Sequence, residues 1–402
     1  MAGASRWRAW APLGILGSLA LGLQQRREAR AESQPEERRP LELKMVQVVY
    51  RHGARSPLKL LPHTEQSQQV DWKPQLLEVP PQTQFDYTVT NLAGGPKPPS
   101  PYDCEYNKTI LKGGMCAGQL TQVGMQQMFA LGKRLRKKYV EETPFLSPAF
   151  NPLEHSFHEH IPEPGVYPVF AGWAFSAPER SRKRSASLLP GLLEDLKKVK
   201  NSLGITQSDT VDFLSLLDNV AAEQAHNFSS SSVLRGFARL IEQRAVDTAL
   251  YILHSEDRKG LQMAVGPFLH LLQSHLLKGT NPATQPDDTR KLYLYATHDV
   301  TLIPLLMALD IYDNKWPPFA ADLTLELYQH RESKEWFVQL HYLGEVGSWG
   351  ADTVCRAGHP PWAGQRSLAP GSSVGAQSAG ESGLWPRAKT EPVSHSVQDP
   401  VR

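Results

Sequence analysis

The stretch Lys44-Met-Val-Gln-Val-Val-Tyr-Arg-His-Gly-Ala-Arg-Ser-Pro57 decides the fold. Its first half is rich in valine and reads as a strand buried on both faces, whereas its second half turns polar at once. The chain therefore leaves the core into a loop carrying two arginines around one histidine. The same grammar recurs at Lys291-Leu-Tyr-Leu-Tyr-Ala296, which runs directly into Thr297-His298-Asp299. Two apolar strands that each end in charged residues suit an open α/β sheet, in which ligands bind beyond the strands' carboxyl ends.

Outward from these strands the periodicity changes. Thr121 is placed to cap a helix over 122–140, in which Met128, Leu131 and Leu135 share one face opposite a Lys/Arg face. Helical spacing also predicts helices over 208–225, 233–253 and 260–277, the last with Leu261, Val265, Phe268, Leu269 and Leu272 on one side. Alternation over 323–329 and 336–342 predicts an antiparallel pair at a sheet edge. Recurrent Pro and Gly make 60–100 a surface excursion. After Gly344 the chain loses all periodicity, and 346–402 is read as a disordered tail.

Composition narrows the function. The 402 residues, 40% hydrophobic and 21% charged, suit a globular protein. The 43 basic and 41 acidic residues leave a net +2 with no block of five or six like charges, which argues against a nucleic-acid partner and for a small-molecule substrate. Three cysteines (Cys104, Cys116, Cys355) are too few for a thiolate zinc site, and Cys104 and Cys116 could close at most one loop. No metal or cofactor is called for. Residues 1–31 are read as a targeting leader: Arg6, Arg8, Arg26, Arg27 and Arg30 stand against Glu28 alone, around an apolar run too short for a lasting membrane span. That composition favours mitochondria. The secretory route is the alternative, given sequons at Asn107 and Asn227.

The chemistry sits in the two charged clusters. The guanidiniums of Arg51 and Arg55 offer planar forks of donors that match phosphate oxygens two at a time. Between them His52 can act as nucleophile, kept neutral by the flanking cations. Gly53 is expected to let the backbone approach the ligand, and Pro57 to fix the loop's exit. A phosphohistidine route needs an acid for the departing alkoxide, and Asp299 is the candidate, its pKa raised by a bound phosphate dianion. His298 is a further phosphate donor. His155, His158 and His160, in a segment bracketed by Pro152, Pro162 and Pro164, are read as a surface loop and not a metal cluster.

The pattern Arg51-His52-Gly53-x-Arg55-x-Pro57 with distal His298-Asp299 resembles the histidine acid phosphatases, branch two of the histidine phosphatase superfamily. Leu120-Thr121-x-x-Gly124, Leu131-Gly132-x-x-Leu135-Arg136-x-x-Tyr139 and Pro317-Pro-Phe-Ala320 follow that family's order. The resemblance covers about residues 40–345. It implies a three-layer, phosphoglycerate-mutase-like α/β core with a mainly helical cap, and a phosphohistidine at His52. It also implies phosphate contacts from Arg51, Arg55 and His298, and Asp299 as proton donor. Wording such as QVVYRHGARSPLK is similar to members that act on lysophosphatidic acid, so the implied reaction is its hydrolysis to monoacylglycerol and phosphate by a monomer. A broad acid phosphatase and an impaired phosphate-binding splice product are the alternatives.

The resemblance breaks near 152–180. There the family carries a core strand ending in Arg-Ser-Thr, whose arginine is a third phosphate ligand, and this chain shows no such motif. Arg180, Arg182 and Arg184 are read as a solvated basic loop. A core strand and its helix are therefore expected to be missing.

Overall fold

Leu41–Arg51 forms β1, and Met45 through Val49 are buried along it. In the computed structural model the described residues are 40–62, 71–73, 96, 108–149, 151, 153–159, 189–228, 232–253, 259–284, 289–346 and 355–356. The leader, the tail beyond 356, His160, and Arg180, Arg182 and Arg184 lie outside them. β1 pairs in parallel with β3 (Leu292–Thr297) and antiparallel with β4 (Asp322–His330). β4 pairs antiparallel with β5 (Trp336–Tyr342), which the short strands β6 (Glu345–Val346) and β7 (Cys355–Arg356) extend. The expected antiparallel pair is present, but β4 is interior, covered by β1 as well as β5. Its first six residues are all buried.

The two faces of β1 explain the layers. Met45 and Val49 pack with Val265, Phe268 and Leu272 of α5 (Lys259–Thr280) and with Leu302 and Leu305 of α6 (Asp299–Ala308). Val46 and Val48 pack on the other side with Tyr139, Leu146 and Leu292. Because side chains alternate along a strand, one apolar run feeds two helical layers. Gln47 is satisfied by donating to the Leu272 carbonyl (3.0 Å) and accepting from the Tyr295 hydroxyl (3.0 Å). A separate helical cap has its own core. Leu192 and Val199 of α2 (Leu192–Ser202) meet Phe213, Leu216 and Val220 of α3 (Phe213–Ala225) and Ile241 of α4 (Ser232–Leu253). The chain is of the α/β class.

Helix boundaries depart from the periodicity in instructive places. α1 (Gln122–Arg136) begins as expected, with the Thr121 hydroxyl accepting from Gly124 N (3.2 Å). It then widens into a π-helical turn, Lys137–Glu142, that lowers Lys138 and Tyr139 onto the buried Glu326 at 2.7 and 2.5 Å. α3 starts at Phe213 rather than 208, because Asp212 caps it through Ser215 N (2.8 Å) and Asp209 is engaged by Thr206 and Lys200. α2 and α6 lack a long periodic run and were not expected.

The segment read as a histidine-bearing loop instead forms β2 (His155–Glu159), parallel to β3 and at the sheet's edge. Without this segment β3 would be the edge and would expose a row of unpaired backbone groups, and the segment pairs with them despite its polar composition. Leu292 N donates to the Glu154 carbonyl (2.9 Å), and Lys291 pairs with the Glu154 carboxylate (2.9 Å). The place beside β3, expected to be left without a strand, is thus filled. Among the described residues, no helix is long and apolar enough to cross a membrane.

Candidate active site

β1 and β3 end side by side, with Arg51 in register with Thr297, so the residues that follow both strands emerge at one edge. His52 N donates to the Thr297 carbonyl (3.3 Å), and the His52 carbonyl accepts from Ala320 N (3.0 Å). The loop after β1 is held still further along by Ala54. Its carbonyl accepts from Thr121 N (3.1 Å) and the Thr121 hydroxyl (3.0 Å), and its N–H donates to Gln127 (2.7 Å). Gly53 and Gly124 make this docking possible. A Cβ at Gly53 would stand 2.2 Å from the Gly124 carbonyl oxygen, and one at Gly124 would stand 2.0 Å from that of Ala54. The close approach at Gly53 is therefore to the N-terminus of α1, where the sequence suggested a ligand.

Four of the five expected residues meet here. The imidazoles of His52 and His298 lie 5.4 Å apart, edge to face. Arg51 is buried and gripped from three sides. Nη2 pairs with Asp299 Oδ2 (2.7 Å), Nη1 donates to the Pro317 carbonyl (2.6 Å), and the guanidinium lies 4.2 Å over the Phe319 ring. Its Nε is buried with no hydrogen-bond partner among the described residues. Arg55, the fifth, is turned toward the cap, where Nη1 pairs with Asp218 (2.8 Å).

The protonation states follow from these neighbours. Burial, reinforced by Arg51, Arg55 and His298, lowers the His52 imidazole to about 3. A neutral imidazole has one N–H. With Nδ1 against the Gly53 carbonyl (2.8 Å), that proton sits on Nδ1 and Nε2 keeps its lone pair. Burial works to raise the Asp299 carboxyl, but Arg51, the Trp316 indole N–H (2.9 Å to Oδ2) and Arg55 hold it well below the usual carboxylate range. The raised pKa expected of Asp299 belongs to a site with a phosphate dianion beside it. With the protein groups alone it is ionised.

Trp316, one residue before the quoted Pro317-Pro-Phe-Ala320, and Phe319, inside it, were given no role by sequence reasoning. That proline pair next to two aromatics is the signal that could have found them. Asp218 lies inside an ordinary amphipathic helix and had none. His155 stands in β2, away from the cluster. Among the described residues, no three His, Cys, Asp or Glu are arranged to hold a metal ion.

Comparison with known proteins agrees with this geometry. Residues 42–172 and 192–343 match the histidine phosphatase superfamily, branch 2. A lysophosphatidic acid phosphatase type 6 from Homo sapiens is 61% identical over 376 aligned positions spanning 84% of this chain and 87% of the relative. The one from Mus musculus is 56% identical over 375 positions, spanning 84% of this chain and 89% of the relative. The prostatic acid phosphatase of Rattus norvegicus is 34% identical over 137 positions, a third of each chain. Since 84% of 402 residues falls short of 376, the human relative carries aligned residues that have no counterpart here. The match nonetheless runs from β1 through α1 and β3 to the end of β5, the elements that build the site, and by it this chain belongs to branch 2 of the histidine phosphatase superfamily.

Proposed function

We propose that the chain is a phosphomonoesterase that cleaves lysophosphatidic acid to monoacylglycerol and phosphate through a phosphohistidine at His52. The observation that carries this reading is the Nδ1–H of His52 on the Gly53 carbonyl, which leaves the Nε2 lone pair for phosphorus while burial and the charges of Arg51 and Arg55 keep the ring neutral. Nε2 attacks, the ester P–O bond breaks, and protonated Asp299 delivers its proton to the departing alkoxide. Water then attacks the phosphohistidine, Asp299 takes the water's proton, and His52 Nε2 leaves with its electron pair. Arg51, Arg55 and His298 hold the phosphoryl oxygens. All of these donors are side chains, so the reading calls for no metal.

The substrate follows the names of the type 6 relatives, and the leader's composition supports a mitochondrial enzyme. The test is phosphate release from lysophosphatidic acid and from an aryl phosphate by the purified chain, with and without chelator. Activity on the lipid that survives chelation and vanishes in His52→Ala supports the reading, whereas a strict metal requirement overturns it. Equal turnover on aryl, sugar and lipid phosphates would support a broad acid phosphatase instead.

A second reading, an impaired phosphatase, is favoured by the relatives' unmatched residues. If a third guanidinium is lost with them, turnover falls by about a hundredfold to a thousandfold, as for one donor lost from a preorganised site. Restoring the family's Arg-Ser-Thr segment should recover that factor, and the same insertion with alanine for that arginine should not.

A further inference from the structure

We infer that helix α3 of the cap is the positioning element of the loop 52–59 that follows β1, and that Asp218 is the positioning residue for Arg55. The inference rests on the reading of Arg55 as a phosphate ligand and adds the device that aims it. Both oxygens of Asp218 are committed to the same loop: Oδ1 pairs with Arg55 Nη1 (2.8 Å), and Oδ2 accepts from Leu58 N (2.7 Å). Both side chains are largely buried, at 12% and 15% exposure, so solvent screens the pair only weakly. The next residue, Asn219, donates to the Lys59 carbonyl (2.8 Å). Two turns on, His226 at the end of α3 meets the Thr121 hydroxyl (2.7 Å), which in turn holds the Ala54 carbonyl (3.0 Å). One helix thus grips the loop at Ala54, Arg55, Leu58 and Lys59.

The effect on Arg55 is directional. Its hydrogen bonds, to Asp218 and to the Ser56 carbonyl (3.0 Å), are both made by Nη1. Among the described residues, the Nε and Nη2 edge of the fork makes no hydrogen bond and is left for a ligand. A free arginine side chain loses rotamer entropy when a ligand fixes it, and clamping one nitrogen removes much of that loss from the binding step. Asp218 sits on the far nitrogen and acts through Arg55, without touching the phosphoryl group. The cap and the site therefore work as one unit, and the identity of a cap residue sets how well a core residue binds phosphate.

The experiment is a double-mutant cycle on the full chain with Asp218→Ala, Arg55→Ala and the pair. It reads kcat/KM on an aryl phosphate, the inhibition constant of inorganic phosphate, and Tm. Asp218→Ala is expected to lower kcat/KM about tenfold or more and to weaken phosphate inhibition in step, as a misplaced ligand would. In the Arg55→Ala background it should change either quantity by no more than about twofold. If Asp218→Ala proves too unstable to assay, Asp218→Asn keeps the size and one acceptor, and the same cycle applies. Asn219→Ala is the contrast: it should lower Tm through the lost Lys59 contact, and its effect on kcat/KM should be the same with or without Arg55. Losses from Asp218 and Arg55 that multiply, or a fall in Tm with unchanged phosphate inhibition, would overturn the inference while leaving Arg55 a ligand. Full activity in Arg55→Ala would instead overturn both, starting from the proposed function.

Discussion

Arg51 and Asp299 hold each other across the ends of β1 and β3, Nη2 to Oδ2 at 2.7 Å, with side-chain exposures of 4% and 17%. A buried pair is worth little against an apolar substitute, but removing one partner strands the other. The same carboxylate is the proposed acid, so stability and chemistry are joined in one bond.

Asp299→Ala should therefore destabilise the chain by about 3 kcal/mol, because it leaves the Arg51 charge buried. Urea unfolding measures this. Asp299→Asn separates the chemical role. It should slow hydrolysis of alkyl phosphates much more than of aryl phosphates, since only a poor leaving group needs the proton. Equal loss on both would count against Asp299 as the acid.

The depressed His52 gives a pH signature. With its imidazole at about 3 rather than the ordinary 6.5, the proposed nucleophile stays neutral through mildly acidic solution. On the acid side, kcat/KM for an aryl phosphate should show no loss with a midpoint near 6.5. The same shift acts on stability. As pH falls from about 6.5 toward 3 the unfolded chain takes up the proton before the folded one, so the wild type should lose stability relative to His52→Gln in that window and match its pH dependence above it.

Gly53→Ala should abolish most activity and lower stability by about 1–3 kcal/mol, the usual cost of forcing atoms into a packed contact. The new Cβ meets backbone, the Gly124 carbonyl oxygen at 2.2 Å, so the loop itself must shift. A variant with wild-type Tm and kcat would show the contact to be looser than drawn.

Glu326, 1% exposed, accepts from Tyr139, Tyr328 and His341 and pairs with Lys138. Burial pushes its carboxyl up, but His341 and Lys138 bring it down to about 2, below the ordinary 4.5. A carboxylate lowered on folding contributes stability that is present above about 4.5 and lost as pH falls from there toward 2. Glu326→Gln should be less stable at pH 7 and should lose less than the wild type between pH 4.5 and 3. Parallel curves would refute the assignment.

Much of this architecture could be read from local sequence. β1 and β3 announce themselves because strands buried on both faces are continuously apolar, and their abrupt polar ends point at the site. Long amphipathic stretches gave α4 and α5 nearly whole. What escaped depends on partners far away in the chain. β2 is a strand because β3 has an open edge, and its own His-Ser-Phe-His-Glu says little. The π-helical turn answers to the buried Glu326. Gly53 looked like a ligand-facing residue until Gly124 came against it. Trp316 and Asp218 reach the site from a loop and a cap helix with no periodic mark of either role.

The pairing of β1 also dictates when the site can form during synthesis. Gln47 bonds to a tyrosine 248 residues later, and Tyr50 to a threonine 247 residues later. At about 5–20 residues per second a ribosome needs on the order of 10 to 50 s to make that span. Throughout that interval the valine-rich strand has neither neighbour that will eventually flank it. His52, the proposed nucleophile, is made long before the strands that complete its setting, so a holding chaperone that shields Val46, Val48 and Val49 should raise the yield of folded chain.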